Sequence, residues 1–407
     1  MSQVMPVYIV SAARTPTGKR GGGLSNAHPV DLGVTVVREV VRRAAIDPNL
    51  ISKLKIGCAT QTAQQGFNVG RTIAACAFGP NMPASTVNML CGSSAEAICD
   101  GWGQISSGQA DIILAGGVEN NHLVFQGQDL MPSSQSLSGI FRNTWRTIIL
   151  GSKIVRDALP RGYYLHPMGR SGDAIAMERE ISREELDQFA YESQIKAAHA
   201  MFSGKFNDEI VPLQTQKGIV KADEGIRPNT SLKALANLKP AFGKNGLHTA
   251  GSSSQISAGA AAVLLASEDA VRQNNLKPIA RLVASALVAT DAQIEEKQLI
   301  GPIEAIRKVL KKAGLGINDI DLFEINEAFA SVVIATMKEL KIDPDKVNVN
   351  GGAIALGHPL GTSGARLPVT LIHEMQRRAN EGKPSKYGLV ALCIGGGQAI
   401  ATIFERV

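Results

Sequence analysis

Two stretches of this sequence repeat one design, and that repetition limits what the chain can become. Residues 110–119, "ADIILAGGVE", and 387–399, "YGLVALCIGGGQA", are both apolar strands that run into paired glycines. Upstream of the first, "VDLGVTVVREVVRRAAI" (30–46) carries apolar residues at helical spacing, and "ISKLKIGCAT" follows as a short strand starting near Leu54. Upstream of the second, "GPIEAIRKVLKKAGLGINDIDLFEINEAFA" gives again an amphipathic helix, a short connection, a strand and a polar turn into a helix. A chain built twice on this scheme is expected to form two α/β units with mixed sheets, packed so that matching strand ends converge on one cleft. At 407 residues it exceeds what one core usually supports, and 44% hydrophobic residues suffice for two.

Between the halves, residues 121–249 are more polar and irregular, with "MPSSQSLSG", "PRGYYLHPMGRSGD" and "KADEGIRPNTS" as loop signals. One clear helix interrupts them, "SREELDQFAYESQIKAAHAMFSG", with Ser182 and Glu185 spaced as a capping box. This region reads as an inserted lid or ligand-gripping segment. The N-terminal stretch "MSQVMPVYIVSAARTP" lacks a basic start followed by a long apolar core, and no run reaches a membrane span, so the chain is expected to be soluble and unprocessed. Five cysteines (Cys58, Cys76, Cys91, Cys99 and Cys393) without a CxxC pair fit neither a disulfide framework nor a zinc site, and point to a reducing, cytoplasmic setting. The net charge of +6 comes with only 4% aromatics and no dense basic run, which favours a small polyanionic ligand over nucleic acid.

The chemistry-bearing residues cluster in four places. In "TVNMLCGSSAEAICDGWGQI", Cys91 follows a plausible strand and opens a plausible helix, where unpaired N–H groups and the dipole are expected to lower its pKa and favour a thiolate. A buried, inert thiol is the alternative there, and Cys99 further along takes that plainer reading. In "NVNGGAIALGHPLGTSGAR" (348–366), glycines surround His358 in what reads as a loop rather than a core element; the imidazole could take the Cys91 proton or merely tie the loop together. In "LCIGGGQA", Cys393 ends a strand as a second thiol able to act as acid or base, and Gly395 offers an unhindered backbone N–H that could cradle an oxyanion with that of Cys91. In "EINEAFA", Asn326 could hold a water or polarise a carbonyl, while Glu327 is either an acid or a carboxylate at a helix entry.

Together "NMLCGSSAEA", "NEAFA", "GGAIALGHPLGTSGAR" and "CIGGGQA", in this order and at these separations, closely resemble the thiolase family, the acyl-CoA C-acyltransferases. "IVSAARTPTGKRGGGLS", "DEGIRPNTSLKALANLKPAF" and "TAGSSSQISAGAAAVLLAS" extend the resemblance nearly end to end. It implies duplicated α/β halves in a layered αβαβα arrangement, with residues 1–120 and 250–275 as the N-terminal half, 121–249 as the inserted loop domain and 276–407 as the C-terminal half. It implies Cys91 as the acylated nucleophile, His358 as its activator, Cys393 as the acid/base at the α carbon, Asn326 as the holder of a water, and Gly395 as an oxyanion donor with Cys91. Arg227 would lie along the coenzyme A nucleotide, and Ser254, Phe242, Ala250, Met168, Ala328 and Phe329 would contact pantetheine or adenine. Acyl-CoA and coenzyme A are the implied partners, with no metal or other cofactor, in a homodimer or homotetramer.

Three segments depart from the family pattern: "VENN" (118–121), "LHPMGRSGDA" with a proline between His166 and Met168, and "SQISAGAAA" with Ser257 and Ala258. They leave acyl-chain specificity open. Two rival readings follow: a ketoacyl-synthase-type condensing enzyme, against which Cys393 argues, and a non-catalytic thiolase-like protein that holds acyl-CoA without turning it over.

Overall fold

A computed structural model describes residues 5–126, 128, 167–292, 294–383 and 385–407. Nine strands form one mixed sheet: β1 (Val7–Arg14), β2 (Lys53–Gly57), β3 (Ala84–Val87), β4 (Ile112–Asn120), β7 (Ala258–Ser267), β8 (Ala280–Ala289), β9 (Leu322–Ile325), β10 (Tyr387–Ile394) and β11 (Gln398–Arg406). A separate two-stranded hairpin, β5 (Leu213–Thr215) and β6 (Gly218–Val220), lies between β4 and β7 in sequence. The large sheet runs β3-β2-β4-β7-β1-β8-β11-β10-β9.

Read outward from its centre, that order shows the duplication. On one side β1 pairs antiparallel with β7, β7 antiparallel with β4, and β4 parallel with β2. On the other side β8, β11, β10 and β9 repeat those pairings in the same sequence. β3 adds to β2 in parallel, and its counterpart is reduced to one parallel bridge, Phe323 to Val347. The halves meet where β1 pairs antiparallel with β8, Ile9 opposite Ala280.

Helices complete the layers: α1 (Pro29–Ala44), α2 (Val69–Phe78), α3 (Ser93–Ser106), α4 (Met168–Glu178), α5 (Arg183–Phe202), α6 (Leu232–Ala236), α7 (Glu268–Gln273), α8 (Pro302–Ala313), α9 (Ala330–Leu340), α10 (Ala353–Leu356) and α11 (Leu360–Asn380). α1 and α2 cover one face of the N-terminal half, and α8 and α9 cover the outer face of the C-terminal half. Between the halves, α3 and α11 pack on each other, with Ile98 and Leu367 in one core with Val263 and Val390. The order is therefore helix, sheet, helix, sheet, helix. Strands buried on both faces need apolar side chains at every position, which is why β7 reads "AGAAAVLLAS" without alternation. Along it, Ala260, Ala262 and Leu264 face the α1 core, while Ala261, Val263 and Leu265 face the middle layer.

The N-terminal run Gly21–Gly22–Gly23 looks suited to a phosphate, but its backbone already wraps a carboxylate of this chain: Gly23 donates its N–H to Glu224 Oε1 at 2.6 Å. The predicted capping box at α5 is present, Ser182 Oγ accepting from the Glu185 N–H and Glu185 from the Ser182 N–H. α4, α6 and the start of α9 share a core with Cys393, which sets this helical layer over the end of β10. Among the described residues no helix is long and apolar enough to cross a membrane.

Candidate active site

Cys91 sits in a tight turn that the chain makes between β3 and α3. One 3-10 turn, Leu90–Gly92, intervenes before the helix begins at Ser93, and Leu90 adopts a left-handed backbone with φ 48°. For a leucine this conformation costs about 1–3 kcal/mol and persists only where surrounding contacts hold it. Here they do: Asn88 Oδ1 accepts from the Leu90 N–H at 3.0 Å, and Ser93 Oγ accepts from the Met89 N–H at 2.9 Å and donates to the Leu90 carbonyl at 2.6 Å. A Cβ on Gly92 would fall 2.4 Å from Ile394 Cδ1, so the glycine lets the turn close on the end of β10.

The helix-start expectation for the Cys91 pKa is reversed. Burial pushes the thiol up to about 11, and the nearby Glu119 carboxylate pushes the same way, while the backbones of Gly395 and Cys91 itself offset part of the rise. Desolvation outweighs the dipole because an extra turn separates the sulfur from α3.

Cys393 ends β10 at 2% exposure. Burial raises its thiol far above the ordinary range, and Cys91 acts on it in the same direction; Gly92, next to Cys91, closes on Ile394, next to Cys393. Past it the chain turns back into β11 through Gly396 and Gly397, at φ 81° and 74°. Gly395 lies beside Leu90 and Met168, where its missing side chain keeps the backbone open to the cleft.

The second half supplies Asn326 and His358. Asn326 follows β9, and its N–H bonds the Ala391 carbonyl of β10 at 2.9 Å. Its side-chain Nδ2 faces His358 Nε2 at 3.4 Å, while its Oδ1 is buried and has no protein partner. The His358 N–H bonds the Gln255 carbonyl at 3.1 Å, and Nδ1 meets Ser363 Oγ at 2.6 Å. Burial holds the imidazole down to about 3, with the Arg366 charge acting in the same direction.

The glycine-rich segment around His358 is a loop only in part: residues 357–359, with His358 at their centre, join two helices. It includes α10 and the start of α11, and residues 350–371 are buried throughout. Its glycines serve close approach: a Cβ on Gly364 would fall 2.4 Å from the Ala95 nitrogen of α3. Glu327 is not poised as an acid either. It ties this segment down, accepting from Ser193 Oγ at 2.7 Å, Asn348 Nδ2 at 2.9 Å and the Ile354 N–H at 3.0 Å.

The expected ligand contacts divide. Met168, Phe242, Ala328 and Phe329 gather in the core that includes Cys393, with Phe242 and Phe329 edge to face at 5.5 Å. The Ser254 N–H bonds the Ala328 carbonyl at 3.0 Å, adding Ser254 to that wall. Ala250 lies exposed in the adjoining turn. Arg227 is set apart; its side chain is exposed and its backbone N–H donates to Gln194 Oε1 at 2.7 Å. Among the described residues no group of three or more His, Cys, Asp or Glu is placed to hold a metal.

Two of the atypical segments turn out to be neighbours. Asn120 pairs with Ala258 across β4 and β7, and the Asn121 N–H bonds the Ser257 carbonyl at 3.1 Å. In the third, Pro167 caps α4, and His166 lies outside the described residues. Glu119, at the end of the "ADIILAGGVE" strand, has a role that its sequence setting does not signal. Fully buried, it accepts from the Ala59 N–H at 2.7 Å and the Gly361 N–H at 2.9 Å, linking the nucleophile's half to the start of α11. The one sequence signal of Ser363 is its place five residues after His358, on the first turn of α11.

Comparison with known proteins bears on the whole chain. The sequence model described as "Thiolase, N-terminal domain" matches residues 7–269, and "Thiolase, C-terminal domain" matches 276–406. A 3-ketoacyl-CoA thiolase of Bacillus subtilis (strain 168) is 41% identical, with 98% of each chain covered. An acetyl-CoA acetyltransferase of Chromobacterium violaceum is 42% identical over 99% of this chain and 100% of its own. The crystal structure of human mitochondrial 3-ketoacyl-CoA thiolase superposes with TM-score 0.86 at 34% identity, covering 100% of both chains. The structure of the same protein in complex with CoA also gives 0.86 at 34% identity, covering 100% of this chain and 99% of the other.

Proposed function

The chain belongs to the thiolase family and is an acyl-CoA C-acyltransferase; from that premise we propose how its residues divide the reaction. Cys91 is the nucleophile, His358 the base that relieves it of its proton, and Cys393 the acid/base at the α carbon. In thiolysis the Cys91 sulfur attacks C3 of a 3-ketoacyl-CoA as its proton passes to His358. The C2–C3 bond then breaks, leaving an acyl-Cys91 thioester and the enolate of acetyl-CoA, which takes a proton from Cys393. Coenzyme A gives its thiol proton to the Cys393 thiolate and attacks the thioester, releasing the shortened acyl-CoA, and the departing Cys91 sulfur takes its proton back from His358. Run in reverse from two acetyl-CoA molecules, the same groups form acetoacetyl-CoA.

The backbone N–H groups of Cys91 and Gly395 are the donors for the tetrahedral oxyanion. Asn326, whose Oδ1 is left without a protein partner, holds a water beside His358. Arg227 takes the coenzyme nucleotide, and Met168, Phe242, Ala250, Ser254, Ala328 and Phe329 take the pantetheine arm and adenine. Hydrogen bonds carry the enolate charge, so no metal or further cofactor enters. Residues 1–120 with 250–275 and residues 276–407 serve as the two halves, and 121–249 as the segment over the cleft. The active species is a homo-oligomer in a reducing, cytoplasmic setting, consistent with five free cysteines.

The observation that carries this reading is that the two halves bring these groups to the end of β10: Gly92, next to Cys91, closes on Ile394, next to Cys393, and the Asn326 N–H bonds the Ala391 carbonyl of β10 while its side chain faces His358. It is tested by assaying thiolysis across a panel of 3-ketoacyl-CoA chain lengths, together with proton exchange at C2 of acetyl-CoA. Cys91→Ala should abolish thiolysis, and Cys393→Ala should stop exchange while Cys91 still acylates slowly. Full thiolysis by Cys91→Ala, or unchanged exchange by Cys393→Ala, would overturn the assignment.

A further inference from the structure

The hydroxyl of Ser363 has a single hydrogen and two neighbours. Its Oγ lies 3.0 Å from the Pro359 carbonyl oxygen and 2.6 Å from His358 Nδ1. A carbonyl can only accept, so a hydroxyl hydrogen given to Pro359 leaves Oγ to accept the hydrogen carried by Nδ1. Helix geometry favours this direction. Ser363 stands one turn into α11, where a serine side chain naturally bonds back to the carbonyl four residues earlier. The other edge of the ring agrees, because Asn326 presents its amide Nδ2, a donor, toward His358 Nε2 at 3.4 Å. With Ser363 at 0% exposure and His358 at 6%, bulk water does not compete for either nitrogen.

We propose that Ser363 is a positioning residue for the acyl transfer, fixing His358 as the neutral tautomer with its proton on Nδ1 and its Nε2 lone pair turned to Asn326. This rests on the reading of His358 as the base for Cys91. In many nucleophile–histidine pairs a carboxylate orients the ring and also stabilises its charged form. A hydroxyl orients without adding negative charge, so the ring is set in place while its protonation stays unfavourable.

Arg366 reinforces that bias. It lies two turns along α11 from His358, is 1% exposed, and none of its guanidinium nitrogens has a protein hydrogen-bond partner. It is the charged group among the described residues that acts on the His358 ring, and Glu324 of β9, Asp223 and Glu209 balance it against Arg14. The imidazole therefore rests uncharged beside a protonated thiol, and the proton crosses only as the sulfur attacks.

The test uses the full-length protein labelled with 15N-histidine. In the wild type, the His358 nitrogens should show an Nδ1–H, Nε2-unprotonated pattern that holds from about pH 5 to 9. Ser363→Ala should lower kcat for thiolysis about ten- to a hundredfold with KM within about twofold, and change the tautomer signature; Ser363→Thr should restore both. An Nε2–H tautomer in the wild type, or wild-type kcat and pH profile in Ser363→Ala, would overturn the proposal. If Ser363→Ala does not fold, the wild-type spectrum alone decides. His358→Asn separates the two readings: full thiolysis by that variant removes His358 as the base, whereas its loss alongside an unaffected Ser363→Ala removes only the role of Ser363.

Discussion

A thiol pushed up to about 11 is protonated at neutral pH, so Cys91 loses its proton during attack rather than before it. The sign follows directly: raising the pH toward 11 increases the thiolate, and lowering it from neutrality changes little. Iodoacetamide should therefore alkylate Cys91 about tenfold faster per pH unit between about pH 7 and 9, with exposed Cys76 followed separately by peptide mapping. A plateau below about pH 8 would mean a stabilised thiolate and would restore the helix-start reading. At this scale Cys91, His358, Cys393 and Asn326 were legible because reactive side chains set among glycines and small residues have few packing reasons to be there. Glu119 and Ser363 were not, since their roles come from contacts made by folding: Glu119 meets Gly361 from 242 positions away, and Ser363 meets a ring whose segment had read as a loop.

The duplicated elements were readable because strands buried on both faces leave long apolar runs, and each half supplied the same run into paired glycines. The start of α11 was not, because glycine is a poor helix former and tertiary packing overrode propensity where Gly364 must lie against α3. The repeat also conceals a reversal. Lys55 of β2 pairs with the half-exposed Asp100 of α3, while in the matching places buried Glu324 of β9 lies under the charge of buried Arg366 of α11, so the halves keep an opposite-charge pair but exchange its signs. β3 ends the sheet with all four residues half-buried, and Phe67 nearby is fully exposed. An open sheet edge beside an exposed phenylalanine suits cover, and in the proposed homo-oligomer a second copy meeting it edge to edge would supply the same strand in return. Phe67→Glu should shift sedimentation toward monomer at micromolar concentration without unfolding the chain. Identical sedimentation of variant and wild type would place the contact elsewhere.

Across the whole molecule, each half is chemically incomplete. The N-terminal half brings Cys91 on a strained turn, the C-terminal half brings Asn326, His358 and Cys393, and the intervening helices close over the end of β10. This arrangement explains why Cys91, the proposed nucleophile, could look inert on its own: its proposed partners lie 235 to 302 residues further along the chain. Segments 118–121 and 257–258, far apart in sequence, become neighbours where β4 and β7 pair. The most direct measurement is intact-mass and peptide analysis of the full chain after brief incubation with acetyl-CoA and rapid acid quench. One acetyl group on Cys91, removed on adding free coenzyme A and absent in Cys91→Ala, is the predicted result. Acetylation persisting in Cys91→Ala, or turnover with no acyl-enzyme at Cys91, would contradict the account.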